Sequence, residues 1–276
     1  MEFVTKKNAV EFVPCDDFDL RKTFECGQCF RWNEDDDGSY TGVAFGLAAR
    51  IRSENGRISV SGTAEDFLNV WKNYFDLVRR YSELRKNLCI DEYMQKATEF
   101  GAGIRILRQE PWEALCSFII SQCNNIPRIK GIIEKLCDMF GDPVPFEGGL
   151  RRAFPSAERL APLTEADLEP LRCGYRAEYI INAARAVADG SLNLEELSLA
   201  DSGTALQRLK ELSGVGDKVA SCVVLFGLGM IDAFPRDVWI KRAVAEQYGA
   251  DFDESVFGGL AGLAQQYMFY HRRSGG

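Results

Sequence analysis

The chain has 276 residues, 46% of them hydrophobic and 27% charged, with a formal net charge of −8 at pH 7. That length and apolar content suit two or three packed units with a buried core, and no apolar run is long and uncharged enough to span a bilayer. The acidic balance argues against a protein that coats nucleic acid indiscriminately, while leaving room for a local basic face.

Met1 to Lys6 lack the apolar core of a secretion signal, so a cytoplasmic protein is expected. Nine cysteines, at 15, 26, 29, 89, 116, 123, 137, 173 and 222, sit mostly in apolar surroundings, which suits reduced thiols. Cys26 and Cys29 form a Cys-x-x-Cys pair, but no second close pair completes a zinc site. No cysteine follows 222, which excludes an iron–sulfur cluster beyond that point.

Short β-like runs fill the first 62 or so residues: Val10 to Val13, Phe30 to Trp32, Tyr40 to Phe45, Ala48 to Ile51 and Ile58 to Val60. Gly, Asp and Asn turns separate them, including Glu54-Asn55-Gly56, and predict an antiparallel sheet. Phe18 to Phe24 fits a short helix. Ala64 to Tyr74 fits another, opened by a capping box between Thr63 and Asp66. From about residue 80 the apolar period becomes helical, through Ile104 and Leu107, Leu115 to Ile119, and Ile126 to Leu136. Pro143 and Pro145 mark a loop. Thr164 to Asp167 begins a short helix, and Tyr179 to Val187 forms one ended by Asp189-Gly190. Arg242 to Tyr248 and Gly262 to His271 complete the helices, with Arg272 to Gly276 expected to fray.

Residues 205–245 carry the chemistry. Leu206, Leu209 and Leu212 predict a helix. Gly214 and Gly216 stop it, and Val219, Cys222, Val223 and Phe226 line a second helix. This is a helix-hairpin-helix, whose turn presents backbone N–H groups able to hold a phosphate. The stretch holds six basic residues against four acidic. Lys218 lies on the first turn of the second helix, where the dipole opposes a cation and favours the nucleophilic neutral amine. Asp237, following Pro235, is placed to cap the next helix.

A hairpin, its lysine and a downstream aspartate resemble the catalytic module of helix-hairpin-helix DNA glycosylases. Five further segments resemble the 8-oxoguanine DNA glycosylase branch in its bacterial form: Cys26 to Trp32, Gly103 to Gln109 running on to Ile119, Asn124 to Ile129, Gly174 to Ala177, and Gly262 to Gln265 with Phe269. The resemblance implies an α+β protein. Residues 1–80 would form a sheet domain with flanking helices. Residues 81–276 would form a two-part helical core with the hairpin at 205–228 and a pocket helix at 260–272. It implies a bifunctional glycosylase and abasic-site lyase, monomeric, in the bacterial cytoplasm with the nucleoid. The partner is double-stranded DNA containing 8-oxoguanine. No redox cofactor, metal or membrane is required, although superfamily members suggest a monovalent cation at the hairpin.

By the same resemblance, Lys218 and Asp237 are catalytic. The Gly27 carbonyl faces N7 of the flipped base, where oxidation at C8 turns an acceptor into an N–H donor. Gln265 reads the Watson–Crick edge, and Phe269 and Cys222 flank the faces. Asn124, Asn125, Arg128, Tyr175 and Arg176 address the opposite strand, and Gly214 and Gly216 the backbone. On the residues alone, Phe269 and Cys222 also fit ordinary core, Gln265 and the Tyr-Arg pair fit surface, and Gly27 fits a turn. Cys123 stands where many members have asparagine, Pro127 follows Ile126, and Trp239 replaces a histidine of eukaryotic members. His271 is the only histidine, so histidine catalysis is not expected. A non-catalytic damage-binding module and a glycosylase for an alkylated base or formamidopyrimidine are the alternatives.

Overall fold

The computed structural model describes residues 2–14, 16–249 and 251–275; Cys15 and the last residue of the expected tail fall outside them. Six strands form one antiparallel sheet, in the order β1–β2–β6–β5–β4–β3. They are β1 (Phe3–Thr5), β2 (Ala9–Phe12), β3 (Asn33–Glu34), β4 (Tyr40–Ala44), β5 (Leu47–Glu54) and β6 (Arg57–Ser61). Alternation sets the register: Val10 pairs with Val60 and Phe12 with Ile58, all four buried. Asn55 and Gly56 both have positive φ, +51° and +73°, as a tight two-residue hairpin requires.

The buried face meets α1 (Leu20–Glu25) and a helical run made of α2 (Ala64–Asp66), a π-helical stretch (Phe67–Trp71) and α3 (Lys72–Tyr74). Thr63 and Asp66 form the expected capping box. Phe24 stacks on Trp32 at 4.5 Å, and the Trp32 indole N–H donates to the Tyr74 hydroxyl at 2.8 Å. Phe30 to Trp32, expected as a strand, is not one. Strand pairing starts only at Asn33, because all three side chains are drawn into the interior.

The helical part comprises α4 (Tyr81–Leu88), α5 (Glu92–Phe100), α6 (Pro111–Ile120), α7 (Ile126–Phe140), α8 (Ala157–Leu160), α9 (Glu165–Leu168), α10 (Arg176–Ala188), α11 (Leu194–Ser198), α12 (Ser202–Lys210), α13 (Asp217–Cys222), α14 (Val238–Gln247) and α15 (Ala261–Arg273). A π-helical stretch (Val223–Gly227) extends α13. Three expectations fail here. Ile104 and Leu107 are not helical. Residues 104–109 run extended through the interior, and side chains satisfy their backbone: Ile106 N–H donates to the Tyr81 hydroxyl at 3.0 Å, and Leu107 N–H to Gln28 Oε1 at 2.8 Å. Pro143 and Pro145 lie in a hairpin, β7 (Pro143–Phe146) with β8 (Gly149–Arg152), rather than a loop. A two-stranded hairpin has only edges, where proline is tolerated. The C-terminal helix continues to Arg273. Arg272 pairs with Glu246, and Arg273 Nη1 donates to the Glu25 carbonyl at 3.2 Å, so these residues do not fray.

Candidate active site

The hairpin forms as its glycines predict. α12 ends at Lys210, two residues before Leu212, and Gly216 caps α13. Gly214 has φ +80°, and a Cβ there would lie 2.2 Å from the Tyr179 ring, so both conformation and contact demand glycine. Gly216 faces open space. Val219, Cys222, Val223 and Phe226 are all buried.

Lys218 is half-buried on the first turn of α13. Its Nζ donates to Ser121 Oγ at 2.9 Å and lies 5.2 Å from the centre of the Phe118 ring. Asp237 is the N-cap of α14, and Oδ1 accepts from Ile240 N–H at 2.8 Å. Burial raises its carboxyl above the ordinary value, opposed by that hydrogen bond and by the charge of Lys218. Lys218 and Asp237 therefore share a field, but the lysine's hydrogen bond goes to Ser121 while Asp237 Oδ1 is taken by Ile240 N–H. Cys222, one turn along α13 from Lys218, is buried within the field of both. Burial pushes its thiol up to about 11, with Lys218 pulling down and Asp237 pushing up. It is a neutral packing group at physiological pH.

Gly27 has φ +86°, and a Cβ there would lie 3.2 Å from Phe269 and 3.3 Å from the Arg273 guanidinium. It makes no hydrogen bond among the described residues, so its carbonyl is uncommitted. Its neighbours are pinned by buried amides. Gln28 Nε2 donates to the carbonyls of Thr23 at 2.8 Å and Arg105 at 2.7 Å. Gln109 donates to the Gln28 carbonyl at 2.7 Å, and Gln266 to the Cys26 carbonyl at 3.0 Å. Gln28 and Gln109 stand in the motifs quoted above without a role, and Gln266 stands next to Gln265 with no signal of its own. Only the tertiary fold brings the three to one loop. Gln265 is also buried rather than at the surface, and its Oε1 has no partner. Phe30 meets Phe118 edge-on at 5.8 Å, and Phe118 stacks on Phe226 at 5.5 Å. One aromatic wall thus runs from the Gly27 loop to the lysine.

The opposite-strand candidates gather around the N-termini of α7 and α10. Tyr175 is half exposed, its ring 5.7 Å from Tyr179, which abuts Gly214. Arg176 does not project outward. It is buried under Tyr175, and its guanidinium donates to the carbonyls of Gln122, Cys123 and Cys173. Asn125 caps α7 by accepting from Arg128 N–H, Asn124 donates to the Ile120 carbonyl, and Arg128 donates to the Arg172 carbonyl. Cys123 is exposed with φ +46°, a region where asparagine is the more comfortable residue. Cys26 and Cys29 are buried free thiols, Cys26 pushed up to about 12 by burial. No cluster of three potential metal ligands occurs among the described residues. A cavity of about 900 Å³ lies apart from the lysine, between the sheet and the helices, lined by Phe45, Glu110, Glu113, Phe154 and Leu192.

A sheet packed on a helical core, with a hairpin lysine beside a capping aspartate, defines the helix-hairpin-helix class of base-excision proteins. A profile described as the HhH-GPD superfamily base excision DNA repair protein matches residues 116–256, and one described as the 8-oxoguanine DNA glycosylase N-terminal domain matches residues 12–115. The structure of Clostridium acetobutylicum 8-oxoguanine glycosylase/lyase, bound to double-stranded DNA with cytosine opposite 8-oxoguanine, superposes with a TM-score of 0.94 at 37% identity, covering 99% of this chain and 98% of that one. MBOgg1 bound to a low affinity DNA ligand gives the same TM-score at 42% identity, with the same coverage of both chains. The chain belongs to the 8-oxoguanine DNA glycosylase family. The N-glycosylase/DNA lyase of Saccharomyces cerevisiae is 38% identical over 190 residues, which are 63% of this chain and 50% of the yeast protein, so the match spans half the length of that relative.

Proposed function

We propose that this protein is a bifunctional base-excision enzyme that flips 8-oxoguanine out of double-stranded DNA, excises it through Lys218 and cleaves the strand. The observation that carries the reading is the setting of Lys218. Its Nζ is held on Ser121 at the hairpin, within the field of the half-buried Asp237. A base inside a duplex is out of reach and must be extruded. The uncommitted Gly27 carbonyl would accept N7–H of the lesion, whereas undamaged guanine would present a lone pair there. A mismatch of buried polar groups discriminates more sharply than shape. Gln265 Oε1, buried without a partner, suits a donor on the flipped base. Phe269 packs against Gly27, so this contact has to open as the base enters.

In the chemical step the free amine of Lys218 attacks C1′ as the bond to the base breaks, with Asp237 stabilising the positive charge that develops on the sugar. The base leaves, taking up a proton. The C1′–O4′ bond of the sugar then breaks, O4′ taking the proton given up by the amine, which leaves a Schiff base between C1′ and Lys218; this loses a proton from C2′, the C3′–O bond breaks, and the 3′ phosphate departs by β-elimination. The hairpin N–H groups and Tyr175 would hold and wedge the duplex, with Arg128 and the Asn124–Asn125 turn beside the opposite strand. Arg176 could address the orphaned base only by exchanging its present carbonyl partners. Borohydride should trap wild-type protein on an 8-oxoguanine duplex, and Lys218→Gln should abolish trapping. Wild-type protein that binds the lesion but is never trapped would mark a binding module instead.

A further inference from the structure

We infer that Ser121 is a positioning residue for the nucleophile: its hydroxyl, fixed by α6, sets where Lys218 Nζ sits and which way its lone pair points. This rests on the function proposed above. Ser121 is the C-cap of α6. Its hydroxyl donates to the Phe118 carbonyl at 2.8 Å, while its oxygen accepts from Lys218 Nζ at 2.9 Å. A serine hydroxyl has one proton. With that proton on Phe118, only oxygen lone pairs face the lysine. The contact therefore takes an N–H from the amine and cannot take its lone pair, which in the free amine must point away from Ser121. Attack on a sugar carbon needs that lone pair unblocked and aimed, so a second acceptor at this position would serve where a donor would quench the nucleophile.

The anchor is rigid. Phe118 is buried, lies beneath the same ammonium at 5.2 Å, and stacks on Phe226 from the π-helical extension of α13. The nucleophile and its guide are thus tied together at both ends, through Ser121 on one side and the aromatic stack on the other. Asp237 does not perform this task. Its Oδ1 is bound to Ile240 N–H, and it acts on the lysine through its field alone. Positioning and charge stabilisation are divided between two residues.

The test is single-turnover kinetics on two substrates, an 8-oxoguanine duplex and a duplex with a ready-made abasic site, with borohydride trapping as readout. Ser121→Ala should slow both reactions by about 10- to 100-fold, the usual cost of a misplaced reacting group, with duplex Kd and Tm unchanged. Ser121→Thr, which keeps the hydroxyl, should recover most of the rate. Loss of rate in step with loss of Tm or of DNA affinity, without recovery by threonine, would reduce Ser121 to a helix cap and overturn the inference. So would Ser121→Ala trapped as fast as wild type. Wild-type protein that is never trapped on either duplex defeats the enzymatic reading itself, and the two failures are therefore separable.

Discussion

At Gly27, the proposed selectivity rests on one backbone carbonyl. The glycine is needed twice over, for a φ of +86° and for the approach of Phe269 and Arg273. A methyl group would push those side chains back and strain the loop whose carbonyl is proposed to meet the lesion. Gly27→Ala should lower 8-oxoguanine excision and narrow the preference over guanine, while abasic-site cleavage, which has no base to recognise, stays near wild type. Parallel loss of both activities would show that Gly27 does not discriminate. The contrast with Ser121→Ala is useful, since that change should slow both reactions equally. The residues around Gly27 that do the holding, Gln28, Gln109 and Gln266, carry no sequence signal of their own. A glutamine looks the same in a sequence whether it is solvated or, as here, buried and donating to a main-chain carbonyl.

Among the elements, the hairpin depends on a neighbour that sequence spacing does not reveal. The Gly-x-Gly turn was legible, as was the cap on α14, because both are short-range devices. That Gly214 packs face-on to Tyr179 of α10 was not. This contact joins the hairpin to Tyr175, whose ring leans on Tyr179. Gly214→Ala should therefore cost about 1–3 kcal/mol of stability, from left-handed strain plus overpacking. It should also weaken binding to undamaged duplex, since the hairpin and Tyr175 shift together. Urea unfolding and a duplex titration measure the two effects, and unchanged stability would mean that Tyr179 yields without cost. The helical spacing read through Ile104 and Leu107 failed for a related reason. The apolar spacing is there, but the buried side chains of Thr23, Tyr81 and Gln28 accept from the N–H groups of residues 105–107, so a non-helical path leaves these donors paired.

Across the whole molecule, the sheet and helices meet around buried charge. Glu113 and Arg31 line the cavity between them; the described residues leave Glu113 Oε2 and Arg31 Nε and Nη1 without hydrogen-bond partners. Burial pushes the Glu113 carboxyl up to about 7, with Arg31 pulling it down and Glu110 and Glu134 pushing it further up. In the unfolded chain the group titrates near 4.5. Below that value both states are protonated and the contribution is intact. Between the two values the folded state holds the extra proton, so stability falls as pH rises and is lost once pH passes the folded value. The span corresponds to at most about 3 kcal/mol. Unfolding free energy from pH 5 to pH 8 should decline in wild type and be flatter by up to that amount in Glu113→Gln. Equal slopes would remove Glu113 as the cause.

The sequence by itself determined the class of fold, the hairpin, the lysine and the capping aspartate, because each rests on local rules of period, turn and cap that span only a few residues. It also placed the sheet, whose register follows from alternation and from Asn55-Gly56. Tertiary structure alone decided that Lys218 is held by Ser121 rather than Asp237, that Arg176 is turned inward, and that three glutamines pin the Gly27 loop. Those contacts join residues 54 to 240 positions apart. No local periodicity encodes a pairing of that range; it exists only once the two cores have packed and each buried polar group has found its partner.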